Sequence, residues 1–305
     1  MKKILIAAMA IAALAACNKA EVIESNPGEA IQFGNAFVDN ATKADYSSTD
    51  ISAFNVYGTV NNVNIYNATP VTKTAAYGTA WTCGVTQYWI EGADYKFAAL
   101  VDVPAANVTP DEYGMPASFT YTADGQKDIL YDYAVATGKP AGQNSVVAFT
   151  FKHLLAKAYF TVTNQTNDTK YTYTISNVKV TNTYPNGTYT VYTTDEGTGS
   201  WGSYGTATST AFATIENVAY GTPKTNAEVL LIPGATVGVS FTVTLSIDGK
   251  VVTSFDHAVT NVATLAQNSV YNFDVKLSPN DPIQFTVTKQ PEWGATTGKD
   301  VTVSK

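Results

Sequence analysis

From Ile31 onwards the chain is a succession of short segments in which apolar and polar residues alternate, each soon closed by Gly, Pro, Asn or Asp. Alternation at period two sends successive side chains to opposite faces of a strand, whereas a helix needs apolar residues three and four apart. AIQFGNAFV sets Ile31, Phe33 and Phe37 at strand spacing, and ISAFNVYGTV repeats the pattern with Phe54 and Val56. Strand-like segments continue over 86–91, 95–101, 117–122, 132–137, 146–151, 156–163, 171–181, 188–193, 228–232, 237–247, 251–256, 270–277, 283–288 and 300–304. Asp248-Gly249 between two apolar runs predicts a hairpin turn. Such a chain buries its apolar faces by stacking or curling sheets, so the expected class is all-β, a sandwich or barrel. Helix signals are few. Thr109-Pro110-Asp111-Glu112 could open one turn, and FKHLLAK (151–157) could form a short helix. No repeat of solenoid or propeller length is present.

Composition agrees with strands. Charged residues are only 14% of the 305, while Thr and 19 Tyr supply polarity suited to half-buried pleated surfaces. The 45% hydrophobic content is enough for real cores. The length suggests two domains, with a boundary near 151–157, where VVAFTF ends one set of strands and AKAYFTVTN begins another. Net charge is −7 and Arg is absent, so no basic face for nucleic acid is expected.

The first residues point to export. Met1-Lys2-Lys3 precedes an apolar run from Ile4 to Ala16, too short to span a bilayer and suited to the h-region of a signal peptide. It ends in Leu14-Ala15-Ala16-Cys17, which resembles a bacterial lipobox and so implies lipidation of Cys17. Cys83 is then a lone thiol that can make no internal disulfide; its setting between Trp81 and Tyr88 reads as a small buried hydrophobe.

Nothing in the sequence forms a catalytic constellation. The two histidines, His153 and His257, lie far apart, and no Cys/His spacing suits zinc. There is no GxSxG elbow, P-loop or GxGxxG after a strand, and no cofactor is expected. Asp124, Asp128 and Asp132 read as loop and strand-edge residues, and His153 as a packing or hydrogen-bonding residue. TTDEGTGSWGSYG, with Asp195 and Glu196, reads as a long exposed loop. Its Trp201 and Tyr204 either stack on a sugar or cap a sandwich, and aromatic burial favours the cap.

An ordered series of landmarks is similar to the fimbrillin family, the type V pilus subunits of Bacteroidota. They are IQFGNAF, ATKAD, ISAFNVYG, WTCGVTQYWIEGADYKFAA (81–99), FTFKHLLAKAYFTV (149–162), EVLLIPGATVGVSFTVTLSIDGK (228–250), LAQNSVYNFDVKL and DPIQFTVTKQPEWG. The resemblance implies two transthyretin-like Greek-key β-sandwich domains in tandem. It implies a structural, non-enzymatic subunit that reaches the outer membrane as a lipoprotein. A surface trypsin-like protease then cuts the precursor, and other copies or related subunits fill the vacated groove with an extended strand. On this reading residues 1–17 are the signal peptide and 18–43 a propeptide with a removable first strand. The N-terminal domain covers 44–154, completed by 30–38 in the precursor; the C-terminal domain covers 155–277, and 278–305 form an extension.

The cut would fall at Lys43-Ala44, where the family often has Arg, so a Lys-cutting enzyme is required. By itself Lys43 is also what an exposed loop charge looks like. Partners on the host or on other bacteria would be surface glycans or proteins. The alternatives are a tip or anchor subunit of the same fold and, as a different class, a surface glycan-binding lipoprotein.

One internal echo bears on strand replacement. Ile31-Gln32-Phe33 recurs as Ile283-Gln284-Phe285, with Val287 continuing the alternation. A replacing strand must offer similar side chains at the same spacing, so Ile283, Phe285 and Val287 are the candidate donor residues. The alternative, that this strand and residues 300–304 simply pack on the second domain, is weaker for 283–288 than for 300–304. Each buried anchor is worth ~1.5–3 kcal/mol and each ladder hydrogen bond ~0.5–1.5 kcal/mol, enough to drive pairing at an unfilled edge.

Overall fold

The computed structural model describes residues 29–38, 51–73, 81–124, 127–137, 146–194, 197, 199–278, 283–290 and 299–302. The first strands are β1 (Gln32–Val38), β2 (Ala53–Val60), β3 (Val63–Lys73), β4 (Trp81–Cys83) and β5 (Asp94–Val101). A 3-10 turn (Ala105–Asn107) leads to β6 (Val108–Pro110), β7 (Pro116–Thr122), β8 (Leu130–Thr137) and β9 (Val146–His153). Then come β10 (Ala156–Asn164), β11 (Tyr171–Thr183), β12 (Asn186–Thr190), β13 (Ser200–Gly202), β14 (Thr208–Ala211), β15 (Ile215–Val218), β16 (Lys224–Thr225) and β17 (Val229–Leu231). The last are β18 (Thr236–Ile247), β19 (Lys250–Thr264), β20 (Val270–Leu277), β21 (Gln284–Gln290) and β22 (Lys299–Thr302). The protein is all-β, as the alternation predicts.

The described strands make four sheets. A seven-stranded sheet runs β1-β9-β8-β5-β2-β3-β4, and a short one runs β13-β12-β7-β6. Two more, β16-β10-β20-β21-β22 with β17 beside β10, and β14-β11-β18-β19 with β15 beside β11, lie later in the chain. Pairing is antiparallel except β1 with β9 and β10 with β20. The hairpin expected at Asp248-Gly249 joins β18 to β19, with both residues at positive φ, 49° and 74°. This matches the primed turns that suit twisted strands.

Three cores result. The first lies on one face of the seven-stranded sheet, around Phe54, Tyr66, Phe97 and Phe149. The second fills the space between the two later sheets, around Phe160, Phe241 and Phe273. The third lies on the other face of the seven-stranded sheet and gathers Tyr131, Phe119, Tyr189, Leu154 and Leu230. Strand β5 shows how one sheet serves two cores: Tyr95, Phe97, Ala99 and Val101 enter the first, while Ala98 and Leu100 enter the third. Because β12 pairs with β7, the third core draws on both halves of the chain.

Three local expectations fail. Residues 86–91 form no strand: Tyr88 bridges only to Ala30, and the Tyr95 hydroxyl accepts the Ile90 N–H at 2.6 Å in place of a ladder partner. FKHLLAK forms no helix, because β9 runs to His153 and β10 starts at Ala156, with Leu154 and Leu155 fully buried between them. An apolar run buried on all sides does not reveal its period. The turn expected from Thr109 begins earlier, at Ala105, and Thr109 itself lies in β6.

Candidate functional site: a terminal strand closing the first core

Strand β1 enters the sheet in two steps. The Ile31 N–H donates to the Gln87 carbonyl at 2.8 Å, and the Trp89 N–H donates to that of Glu29 at 2.9 Å. The chain then turns its other edge to β9 and runs parallel to it, Gln32 opposite Val146 and Phe33 opposite Val147. After a register shift Phe37 faces Thr150 and Val38 faces Phe151. One short segment is therefore gripped on one edge by 87–89 and on the other by β9.

Its side chains seal the first core. Ile31 and Phe33 are 5% and 4% exposed, while Gln32 between them faces out. The Phe33 ring meets Tyr66 at 5.3 Å and Phe97 at 5.9 Å edge-on, and stacks on Phe149 at 6.2 Å. Such aromatic contacts add about 0.5–1.5 kcal/mol each beyond burial. At Gly34 a Cβ would sit 2.9 Å from Val146 Cγ1, so a larger residue there must push that side chain aside. Phe37 holds its ladder position; its side chain, like Cys17, Lys43 and Ala44, lies outside the described residues.

The candidate donor residues occupy their own sheet. Strand β21 pairs with β20, Val275 opposite Phe285 and Phe273 opposite Val287, and with β22 on its far edge. Phe285 and Val287 are buried in the second core, and Ile283 packs against its margin.

The wall next to β1 is a fork. Strands β8 and β9 pair only at Leu130 with His153 and Tyr131 with Lys152. Beyond that point β9 leaves β8 and takes β1 as its partner. At the branch the Thr150 N–H donates to Asp132 Oδ2 at 2.7 Å, and the Tyr192 hydroxyl shares its one hydrogen between Asp132 Oδ1 at 3.4 Å and the Tyr131 carbonyl at 3.3 Å. Asp132 is 7% exposed. Burial pushes its carboxyl up to about 6, against the N–H groups of Thr150 and Tyr133 and the charge of Lys152, which pull the other way. Lys152 lies over the Tyr192 ring and donates to the Gly197 carbonyl. Tyr131 and Tyr192 are locked by reciprocal hydroxyl-to-carbonyl bonds, and burial drives the Tyr131 hydroxyl far above its ordinary range.

The other singled-out residues are structural in place. His153 Nδ1 bonds the Asp128 carboxylate, both side chains being buried. The Trp201 indole donates to the Leu154 carbonyl at 2.8 Å and packs edge-on against Phe119, so it caps the third core. Tyr204 stacks on Tyr184 at 4.0 Å. His257 lies on β19 against Phe241. Cys83 is half-buried against the first core, and burial raises its thiol. Asp195 and Glu196 lie outside the described residues. Among the described residues no group of three or more His, Cys, Asp or Glu converges as metal ligands would. Asp132 is thus buried and not at a strand edge as its sequence setting suggests; the signal for its burial is a carboxylate flanked by Tyr131 and Tyr133 in a stretch buried on both faces.

The fold and this site define an all-β, multi-sheet protein whose N-terminal strand completes a core built by later strands. Two crystal structures share that fold. A candidate cell adhesion protein from Bacteroides uniformis is 18% identical, with TM-score 0.54, covering 85% of this chain and 98% of its own. Another from Bacteroides ovatus is 17% identical, with TM-score 0.51, covering 92% and 99%. No curated protein sequence matches significantly. A fimbrillin-like family model matches residues 35–291, and the chain belongs to the fimbrillin-like family. The family is one of fimbrial structural proteins, which gives the chain a fimbrial subunit role at the cell surface.

Proposed function

We propose that the chain is a polymerising fimbrial subunit in which β1 is a removable placeholder. A surface trypsin-like protease cuts at Lys43-Ala44, the segment carrying Ile31, Phe33 and Phe37 leaves with the lipid-bearing Cys17, and a strand from another subunit takes its place. The burial of Ile31 and Phe33 by a segment near the chain's N-terminus carries this reading. Loss of the two side chains uncovers a pocket worth about 3–6 kcal/mol of burial together with the open edge of β9, a combination that recruits a foreign strand. Until the cut, the lipid on Cys17 holds the precursor at the outer membrane.

The donor is the strand with Ile283, Phe285 and Val287, in which Ile283 and Phe285 repeat the spacing of Ile31 and Phe33. To donate, β21 must give up Phe285 and Val287 in its own second core, so exchange trades one buried set for another. The vacated groove is then what tips the balance. Treating the full precursor with a Lys-cutting protease should give an SDS-stable ladder, and the Lys43→Gln precursor should give none. A disulfide between Asp274→Cys and Thr286→Cys, which face each other on β20 and β21, would hold the donor at home in a Cys83→Ser background. Oxidised protein should stay monomeric and polymerise on reduction. Polymerisation while the lock is closed would rule out β21 as donor.

A further inference from the structure

The open fork between β8 and β9 poses a physical problem once β1 is gone. Along 146–151, β9 has no described ladder partner other than β1. Among the described strands, the facing stretch of β8, from Asp132 to Thr137, has its ladder pairing with β5. Two such edges joined by a two-pair stem would be expected to zip together, because unpaired backbone groups seek partners. Zipping would draw β9 towards β8 and away from residues 87–89, so the groove between them would lose one of its two walls. In the structure the fork stands open: the described ladder between β8 and β9 ends at Tyr131 and Lys152, and the Thr150 N–H that would come next bonds the Asp132 side chain instead.

We propose that Asp132 is a positioning residue that keeps β9 splayed from β8, so that the groove vacated by β1 stays formed for an incoming strand. This inference rests on the strand-replacement reading above. The carboxylate occupies the place where the next ladder bond would form and takes the Thr150 N–H for itself. A side-chain acceptor reaches further than a backbone carbonyl, so it satisfies the amide while holding the strands apart. The carboxylate is anchored from the third core by Tyr192, itself tied to Tyr131. A buried carboxylate is a poor choice for stability alone, since an apolar residue of similar size is often neutral or better. The raised carboxyl pKa is consistent with that cost. What the carboxylate supplies is a defined position for β9.

The test uses the full chain cut in the 39–50 segment with β1 still seated, and a fluorescent synthetic peptide of residues 29–38 as the incoming strand. Association and dissociation rates are measured separately, because release of β1 and the shape of the groove it leaves govern the first, and the seated contacts govern the second. Asp132→Val should slow peptide association about tenfold or more, the worth of one hydrogen bond to a charged group. Asp132→Asn, which keeps an acceptor for Thr150, should restore most of that rate. A variant merely loosened overall would release β1 sooner and so show faster dissociation together with faster, not slower, association. Hydrogen exchange on the wild type supplies a check independent of any substitution: with β1 displaced, the Thr150 amide should stay protected while its neighbours along 147–149 lose protection. Equal association rates for wild type and Asp132→Val, or a Thr150 amide that exchanges freely once β1 is displaced, would overturn the role of Asp132. A wild-type chain that never exchanges the peptide would instead overturn the strand-replacement reading, and this inference with it.

Discussion

Phe33 is the residue whose loss should be felt most at the site. Four aromatic rings surround it within 6.5 Å. Phe33→Ala should destabilise the precursor by about 3–5 kcal/mol, as buried Phe truncations do, read from urea denaturation. Gln32→Ala, on the exposed face, should stay within about 0.5 kcal/mol of wild type. Asp132 makes the opposite case. Its folded pKa of about 6 lies above the ordinary 3.8. The folded chain thus holds this proton more tightly than the unfolded one. The stabilisation is fully present below about pH 4 and is lost as pH rises through about 6. Lys152, Tyr192 and the N–H groups of Thr150 and Tyr133 face the carboxylate and set how far the shift goes. Asp132→Asn should therefore gain on the order of 1–3 kcal/mol at pH 7.5 relative to pH 4. Denaturation midpoints at the two pH values check it; an unchanged pH dependence would contradict the burial argument.

At the scale of elements, what the sequence revealed followed from how local the cause was. Strands with clean alternation, such as β5, β10, β18 and β20, were legible because one face meets a core and neighbouring residues obey a single period. The β18–β19 hairpin was legible from Asp248-Gly249 alone. Gly249 has φ 74° and open space around its α-carbon, so Gly249→Ala should cost about 1 kcal/mol from backbone strain alone, visible as a lower midpoint in thermal unfolding. Strand β3 was not legible. Its alternation is broken by Ala68, at φ 48°, and by Pro70, and its turn is made by Asn61 and Asn62 at positive φ. The segment 86–91 misled because Trp89 turns inward to the first core and side-chain bonding from Tyr95 substitutes for a ladder. The fork at β8 and β9 depends on which strand lies beyond β9, and no period within either segment records that.

For the molecule as a whole, an all-β fold and the fimbrillin-like landmarks were readable because they rest on composition and ordered short motifs. The third core was not readable, since it forms where β12 crosses to pair with β7 and joins side chains as distant as Tyr57 and Val270. This core has a consequence for assembly. Trp201, Tyr189 and Phe119 pack together there, away from the Phe33 pocket, so emptying the groove leaves most of the buried surface in place. A chain that has lost β1 should therefore keep its β-sheet circular dichroism while its first core loosens. Strand replacement requires this of an acceptor, because a subunit that unfolded globally would have no groove to offer.

The central claim is that β1 departs and another strand occupies its slot. The most direct measurement isotopically labels residues 29–38 in the full precursor, cleaves at Lys43, and weighs the assembled fraction by native mass spectrometry. The account predicts polymers free of the labelled segment, with that segment recovered in the unassembled fraction. Polymers that retain one labelled segment per subunit would show that assembly proceeds with the Phe33 pocket still filled by its own strand, and would contradict the account.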